Sequence, residues 1–418
     1  MATIVSGGDY KIELSSGYDS SAFYLDDSLL DVGTLDGDGE DFNDITTFCN
    51  AVTVSRGRKQ TLDEFGAGTM FVSMFQVASA STLSPFNTAS PYYNNKTEQP
   101  GLAPLRAIRL SRNGTYLFQG KVTSYNVTYP LGGNTIYNIA CADDIYTLAQ
   151  TALTETATTV QTSAARLTTI LDNPAVAYSA TNRNITASPV ATLGDYTIAD
   201  GSNVFTYISR INKAEQGRVF VAANTNYLTF QARIGETISP SSITFDDNGA
   251  GADYDEFHIQ FDQQSVINSA AVTIEVGGTA QTATNSASIS QYFTQRTVIS
   301  DSLLSSDGQA ATLATYLLDP IPLPRFNSIS TNFNTLTDAQ KTTLAALEIG
   351  DTITVTKSFA NSTPATITQS LSIEGIDHNI TVSQGHRITL YTSQVAVYSA
   401  LILDNETYGV IDSTNAIT

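Results

Sequence analysis

The sequence predicts a mainly β protein with an α+β middle region, and three observations support this fold class. Through the first third, short runs rich in β-branched and aromatic residues are separated by Asn-Gly, Gln-Gly and Gly-Gly pairs, which are turn signals. Segments of helical composition begin only near residue 143, and the last third returns to alternating strands. A chain of 418 residues can hold two or three domains. We predict a first β domain at 1–148, an α+β region at 149–290, a second β domain at 291–400 and a tail at 401–418.

The strands of the first β domain follow from bounded β-rich runs. Residues 69–75 form such a run, and Asn113-Gly114 separates two others, which predicts a hairpin. A barrel or a sandwich is expected because the strands are short and numerous. The predicted strands are 52–54, 69–75, 108–110, 116–118, 122–129 and 135–140.

The middle region is predicted to combine small helices with a hairpin. Val204, Ile208 and Ile211 recur at helical spacing, with Ser202 as the N-cap and Gly217 as the stop. The predicted elements are helices 143–154, 164–171 and 202–215, then a hairpin of 218–222 with 227–233.

The last third repeats this mixture. A helix at 309–318 ends before a run of prolines, because proline removes a hydrogen-bond donor and clashes with the preceding turn. Thr337 and Gln340 match a capping box, which predicts a second helix that ends at Gly350-Asp351. Strands are predicted at 352–356, 366–374 and 387–392.

Composition excludes several classes of protein. Asp and Glu number 40 against 20 Lys and Arg, and the net charge of −20 argues against tight binding of nucleic acid, which needs positive charge at the phosphates. Only 14% of residues are charged, so a surface rich in Ser, Thr, Asn and Tyr favours extensive protein contacts. No apolar run approaches the roughly 18 residues of a membrane helix, and no secretory signal is visible.

Cys49 and Cys141 are too few for a disulfide framework or a zinc site. Both lie in apolar, β-rich stretches, so we expect buried, reduced thiols. A disulfide between them is the alternative.

The acidic segment 36–41 (DGDGED) resembles a calcium loop only in part. An EF-hand that began at Asp36 would need glycine at position six and glutamate at position twelve, where Asp41 and Thr47 stand. We interpret the segment as an acidic surface turn.

The histidines His258, His378 and His386 suggest no catalytic site. Glu374 and Asp377 lie near His378, but the stretch alternates apolar and polar residues, as a strand with a turn does. No Gly-x-Ser-x-Gly or His-Glu-x-x-His pattern accompanies it. We interpret these histidines as structural or surface residues.

Adjacent carboxylates at 143–144, 246–247 and 255–256 leave a glycosidase pair open. Most such pairs are solvated, and the chain has no Trp for a sugar platform, although its 20 Tyr could substitute. No phosphate loop of the Walker or dinucleotide type occurs. The sequence therefore predicts no enzyme, no cofactor and no metal site.

Several motifs resemble, in their order, those of the minor tail proteins of long-tailed (siphovirus-type) phages. Arg56-Gly57-Arg58 and the following Phe65-Gly66-Ala67-Gly68-Thr69 resemble the Arg-Gly-Arg and Phe-x-Ala-Gly-Thr of that family. Further likenesses follow at Ser90-Pro91-Tyr92-Tyr93, 104–109, 117–120, 215–220, 228–230, 347–351 and 373–378. One departure is 76–79, Gln-Val-Ala-Ser, where the family often has Asn-Arg-Asp-Gly.

The resemblance implies a non-enzymatic baseplate hub of the virion tail tip, assembled in the host cytoplasm. In such hubs, two tube-type β-barrel domains per subunit let three copies form a pseudo-sixfold ring, with the α+β region at its periphery. The implied partners are two further copies, a hexameric distal tail ring above, and tail-tip or fibre proteins below. DNA would pass through without specific binding, and no membrane insertion is implied. The implied structural residues are Arg56, Gly57, Arg58, Phe65, Gly68, Gly350, Asp351, Glu374, Gly375 and His378.

Two alternatives stay open. A hexameric distal tail protein needs only one tube domain per chain, so a second β unit would argue against it. A receptor-binding or glycan-cleaving tail component would show a deep pocket with two facing carboxylates about 5–10 Å apart.

Overall fold

The computed structural model describes most of the chain between residues 9 and 394. The predicted acidic turn at 36–40 and most of the tail 401–418 lie outside the described residues. The described residues are 9–15, 41–60, 63–77, 80, 82–90, 92–93, 100, 102–233, 241–261, 263–394, 399–400 and 415–416.

Strands dominate both ends of the described chain, and most helices lie between them. The N-terminal strands are β1 Tyr10–Ser15, β2 Phe42–Asp44, β3 Cys49–Gly57, β4 Thr69–Gln76, β5 Ala107–Arg112, β6 Thr115–Thr128 and β7 Thr135–Ala142. There follow α1 Asp144–Gln150, β8 Gln161–Thr162, α2 Ser163–Leu171, β9 Arg183–Ile185, β10 Thr192–Leu193, α3 Val204–Glu215, β11 Arg218–Val221, β12 Leu228–Gln231, β13 Thr244–Asp246 and β14 Glu256–Gln260. The remainder comprises β15 Ser269–Ile274, β16 Gln281–Thr284, α4 Ser286–Tyr292, β17 Arg296–Ser302, α5 Asp307–Tyr316, β18 Arg325–Asn332, α6 Asp338–Ala346, β19 Thr352–Ser358, β20 Thr366–Thr381, β21 Gly385–Gln394, β22 Ser399–Ala400 and β23 Asn415–Ala416. The mainly β prediction with an α+β middle is confirmed.

Thirteen of these strands form one large sheet. Its path is β14–β18–β21–β20–β3–β4–β7–β6–β5–β1–β2, with β19 on β20 and β13 on β19. In the part of the chain that is described, this path stays open and no pairing closes either half into a barrel. The predicted closure into two separate barrels is not formed there, because β3 and β20 use their edges to pair with each other. N-terminal and C-terminal strands therefore share one sheet.

The strand β20 connects the two halves of this sheet. Its first part, as far as Ser372, pairs with β19, and its second part, from Gly375, pairs with β3. The register shifts between Ile373 and Gly375, so Glu374 lies in a β-bulge at the point where β20 changes partner. The predicted turn near His378 is wrong, because β20 continues to Thr381.

Three large buried apolar clusters of the described residues underlie this architecture. One lies beneath the N-terminal strands and includes Phe118 and Ile139, and one beneath the C-terminal strands includes Leu390. The third joins the middle helices and includes Leu167 and Leu313, so α5 packs with the middle region, whereas β13 and β14 pair with C-terminal strands. The division into domains stays a prediction.

Local signals explain which elements were predicted correctly. The hairpin at Asn113-Gly114 is confirmed, with φ of 46° and 85° in the left-handed region that this turn requires. The turn predicted at Gln119-Gly120 is wrong: β6 runs through it, and glycine is needed because a Cβ there would lie 2.4 Å from the Ala142 carbonyl oxygen. The N-cap of α3 is Asn203 rather than Ser202.

Two further boundaries concern helices. The first middle helix ends at Gln150 instead of continuing to Thr154, because Thr151 is already extended. The capping box is confirmed, since the side chains of Thr337 and Gln340 each accept from the other's backbone N–H at the start of α6. No helix in the described part of the chain is long and apolar enough to span a membrane.

Both cysteines are predicted to resist thiol reagents in the native chain. Cys49 and Cys141 are free and buried, as expected, and burial raises the pKa of both thiols, which lowers the reactive thiolate fraction. Labelling with Ellman's reagent should report almost no reaction before unfolding and two thiols per chain in guanidinium. Rapid native labelling, or fewer than two thiols after unfolding, would contradict this.

Candidate functional site

Most residues of the phage-like motifs lie near the point where β20 changes partner. We call this point the junction, and Glu374 lies at its centre. Its buried carboxylate accepts hydrogen bonds from Arg58 Nε at 2.8 Å, Arg218 Nη2 at 2.7 Å and Ser393 Oγ at 2.7 Å. Burial would raise the pKa of Glu374, but the charges of Arg218 and Arg58 outweigh it and lower the pKa to about 2. One carboxylate thus binds β3, β11 and β21 together.

Two glycines let β3 and β20 approach closely at this point. Gly57 has φ +81°, and a Cβ there would lie 2.3 Å from the Glu374 carbonyl oxygen. A Cβ on Gly375 would lie 2.5 Å from the carbonyl oxygen of Arg58, whose backbone N–H donates to Glu374. The Arg-Gly-Arg motif therefore needs its central glycine for two reasons: the backbone has a positive φ there, and a side chain would clash with β20.

The other arginine of the motif forms a separate ion pair. Arg56 is buried, and its Nη1 donates to Glu348 Oε1 at 2.6 Å. The other oxygen of Glu348 accepts from the backbone N–H of Ala223 at 2.7 Å, next to β11. Asp351 accepts from the backbone N–H of Glu348 at 2.8 Å and so holds this loop in place. The Arg218–Glu374 ion pair and the hydrogen bond from Ala223 to Glu348 therefore join the middle region to the shared sheet and the loop before β19.

An aromatic contact and a buried aspartate complete the junction. Phe65 packs with Phe220 and Ile349, and the Arg58 guanidinium carbon lies 4.5 Å from the Phe65 ring centroid. The backbone N–H of Gly68 donates to Asp143 Oδ2 at 2.8 Å.

Asp143 is also the N-cap of α1, where its Oδ1 accepts from the Ile145 backbone N–H at 3.0 Å. Burial raises the pKa of Asp143 to about 7, although both backbone donors lower it. Its neighbour Asp144 faces Lys121 at 3.4 Å, so the adjacent carboxylates have separate structural partners.

Gly350 belongs to the junction and His378 does not. Gly350 has φ +95°, and a Cβ there would lie 2.5 Å from Gln231 Oε1 on β12, which explains the glycine. His378 lies further along β20, where its Nδ1 is 3.0 Å from Nε2 of His386, whose Nδ1 is 2.9 Å from the Tyr10 hydroxyl. The role of the ten motif residues stays a prediction, but nine of them contact or adjoin one another around Glu374.

Sequence reasoning missed three participants in the junction. Arg218 and Glu348 stand inside segments that resemble the phage family, yet no local pattern marks them as ion-pair partners. Asp143 entered only as half of an adjacent carboxylate pair. Its position directly before a helical segment is an N-cap signal that could have identified it.

Three of the four other carboxylates considered as a glycosidase pair, Asp246, Asp247 and Glu256, also have structural partners. Asp246 accepts from the backbone N–H groups of Asn248 and Ala250, and Asp247 pairs with Lys357. Glu256 pairs with Arg387. Among the described residues, no group of three or more His, Cys, Asp and Glu side chains could hold a metal ion.

Acid is expected to destabilise the chain through the buried histidine pair. Burial lowers the pKa of His378 to about 3 and that of His386 well below its usual value, so the unfolded chain binds protons that the folded chain does not. Stability should fall as pH drops from 6.5 towards 3, by at most about 1.4 kcal/mol per pH unit and histidine. Asp143 has the opposite effect on stability between about pH 3.8 and 7. Because its pKa is raised in the folded state, protonation of its carboxyl group as the pH falls favours the folded state.

A comparison of variants separates the histidines from Asp143. Denaturation midpoints measured between pH 7 and 4 should show a shallower decline in His378→Gln than in the unchanged chain. The exposed His258→Gln is the matched control and should keep the original slope. Equal slopes in all three proteins would exclude the buried pair as the cause.

No family model matches this chain, and no curated protein matches it by sequence. Solved structures do match. A tail protein from Neisseria meningitidis is 9% identical with a TM-score of 0.59 over 93% of this chain and 97% of the other. The 43 kDa tail protein of prophage MuSo2 from Shewanella oneidensis is 10% identical with a TM-score of 0.58, over 92% and 98%.

A third match is a protein of a bacterial secretion system. A component of the E. coli type VI secretion system, itself described as structurally similar to the T4 bacteriophage tail proteins gp27 and gp5, is 9% identical with a TM-score of 0.50. It matches over 84% of this chain and 74% of its own. At this level of identity the likeness establishes the fold, and the chain has the fold of these tail proteins.

Proposed function

We propose that this chain is a structural baseplate hub protein of a siphovirus-type phage tail tip, and that three copies form a pseudo-sixfold ring. The observation that supports this most is the pair of β units, each with its own apolar cluster, joined in one sheet through β3 and β20. Two such units per chain give three copies six related units. The fold, shared with two tail proteins over nearly their whole length, supports the same assignment.

The proposed domains are 1–148, 149–290, 291–400 and the tail 401–418. The three apolar clusters favour this division, with the refinement that β13 and β14 belong to the C-terminal unit and α5 to the middle unit. The middle region would lie at the periphery of the ring. The Arg218–Glu374 ion pair and the hydrogen bond from Ala223 to Glu348 would hold it against the β units.

The outer face of the shared sheet supports passage of DNA without binding. Across β20, β3, β4 and β7, two rows of cross-strand neighbours contain no charged side chain: Asn379–Thr53–Phe71–Ala140 and Thr381–Ala51–Ser73–Asn138. The first row continues on β21 to Arg387, whose charge is paired with Glu256. On these four strands the two rows offer no Lys or Arg that would release counterions from phosphates, and the net charge of −20 repels the duplex. We propose that this face lines the channel.

The proposed setting includes a hexameric distal tail ring above the hub and tail-tip or fibre proteins below it, in a virion assembled in the host cytoplasm. The second β unit favours the hub over a hexameric distal tail protein. The cleft beside Glu374 does not favour glycan cleavage, because the two carboxylates among its described lining residues, Glu374 and Asp319, are both in ion pairs with arginine. A general acid needs a raised pKa, whereas that of Glu374 is lowered.

Mass and symmetry test the proposal. Light scattering on the purified full chain should give three times the chain mass of 44.6 kDa, and class averages in negative stain should show threefold rings with six similar lobes. Six copies would replace the hub with the distal-ring alternative, and a monomer at high concentration would contradict both. A density map with Lys or Arg lining the channel would contradict the proposed channel face.

A further inference from the structure

A cleft of about 1000 Å³ lies beside the junction, between α5 with the segment that follows it and the ends of β12 and β21. Among the described residues that line it, there are four arginines, Arg58, Arg218, Arg233 and Arg325, and two carboxylates, Glu374 and Asp319. The cleft is therefore positively charged, although acidic residues outnumber basic ones two to one in the whole chain. The charge of the cleft is thus opposite in sign to the net charge of the chain.

The positive excess is concentrated on Arg233. Glu374 neutralises part of the charge of Arg58 and Arg218, and Asp319 pairs with Arg325 at 2.5 Å. Within the described residues, the buried Nε and Nη1 atoms of Arg233 have no hydrogen-bond partner. A buried donor without a partner is unfavourable, which favours an acceptor that enters the cleft beside Arg233.

The geometry of Arg233 favours a planar anionic group. Its guanidinium carbon lies 4.3 Å from the centroid of the Tyr316 ring, so the ring supports one face and leaves the edge for hydrogen bonds. A guanidinium carries two donors side by side on the edge shared by Nε and Nη2 and on the edge shared by Nη1 and Nη2, and such an edge matches the two oxygens of a carboxylate.

Apolar side chains form another part of the cleft wall. Ile321 and Leu323 are 57% and 52% exposed, and both follow α5 on a proline-rich segment. A free phosphate would have no use for these side chains. A peptide that alternates acidic and apolar residues would place carboxylates on the arginines and apolar groups on this wall.

We propose that this cleft binds an acidic peptide segment of another protein, in which a carboxylate pairs with Arg233 and a neighbouring apolar residue packs on Ile321 and Leu323. Charge complementarity identifies the partner: most of this acidic chain repels such a segment, so the cleft is where it would be retained. The proposal does not depend on the ring, since every residue in it belongs to one chain.

Fluorescence anisotropy on the full chain tests this. The probe is a fluorescein-labelled peptide of alternating glutamate and leucine, and the control probe replaces each glutamate by glutamine. The glutamate peptide should bind, and Arg233→Gln should weaken its binding about tenfold, since a charge-assisted pair is lost. Arg387→Gln removes an exposed arginine outside the cleft and should leave the affinity unchanged.

Further measurements distinguish an acidic peptide from other ligands. Leu323→Asp should also weaken binding of the glutamate peptide, and unchanged melting curves should confirm that both variants fold. The proposal is overturned if the glutamine peptide binds equally well, if Arg233→Gln has no effect, or if inorganic phosphate at low millimolar concentration displaces the peptide. Tighter binding of a labelled oligodeoxynucleotide through Arg233 would overturn it as well.

Discussion

Glu374→Ala is expected to destabilise the chain by about 3–5 kcal/mol, because it removes one partner of a buried ion pair and leaves the others in place. Arg58 and Arg218 would remain largely buried without the carboxylate that now accepts from both. The lost hydrogen bond from Ser393 adds to this. Chemical denaturation of purified protein at pH 7 would measure the change as a lower midpoint.

The matched control is Glu256→Ala. Glu256 also pairs with an arginine, Arg387 at 3.1 Å, but its side chain is 71% exposed. Exposed pairs contribute about 0–1 kcal/mol, so the midpoint should hardly move. Equal losses in the two variants would contradict a special role for the buried junction.

Gly57→Ala is expected to destabilise the chain by roughly 2–4 kcal/mol, from a clash and an unfavourable backbone conformation together. The added Cβ would lie 2.3 Å from the Glu374 carbonyl oxygen and 2.8 Å from Gly375 Cα, both backbone atoms that cannot rotate away. Relief of the clash would separate β3 from β20. Thermal and chemical denaturation would both report the loss.

Gly132→Ala separates the two contributions. Gly132 has φ +71°, close to the +81° of Gly57, but no atom lies within 4 Å of the position that an alanine Cβ would take there. Its substitution should cost only about 1 kcal/mol, the part due to backbone conformation. If both variants lost the same stability, the close approach of β3 and β20 would not be the cause.

The strands and helices were largely predictable because their signals are local. The capping box at Thr337 and the Asn-Gly hairpin each depend on a few neighbouring residues, and both are formed. The bulge at Glu374 also left a local trace: buried apolar residues alternate at Leu371 and Ile373, then resume one position out of phase at Ile376. Glycine at 375 instead suggested a turn, because glycine is common in both settings.

The pairing of the charged residues could not be predicted in this way. Arg58 and Glu374 are 316 positions apart, and Arg218 and Glu374 are 156 apart. No pattern in one sequence shows which of 40 acidic side chains meets a given arginine. The phage resemblance identified the motif residues, but only the folded sheet shows that nine of them, Glu374 included, contact or adjoin one another.

The strand that belongs to both halves of the sheet has a mechanical consequence. Seven residue pairs, from Gly375 with Gly57 to Thr381 with Ala51, join β20 to β3 without an intervening linker. A connection of this kind contains no flexible hinge. A twist applied to one half is therefore transmitted to the other as shear across all the hydrogen bonds between β20 and β3 at once. The two halves can turn against each other only if this ladder breaks.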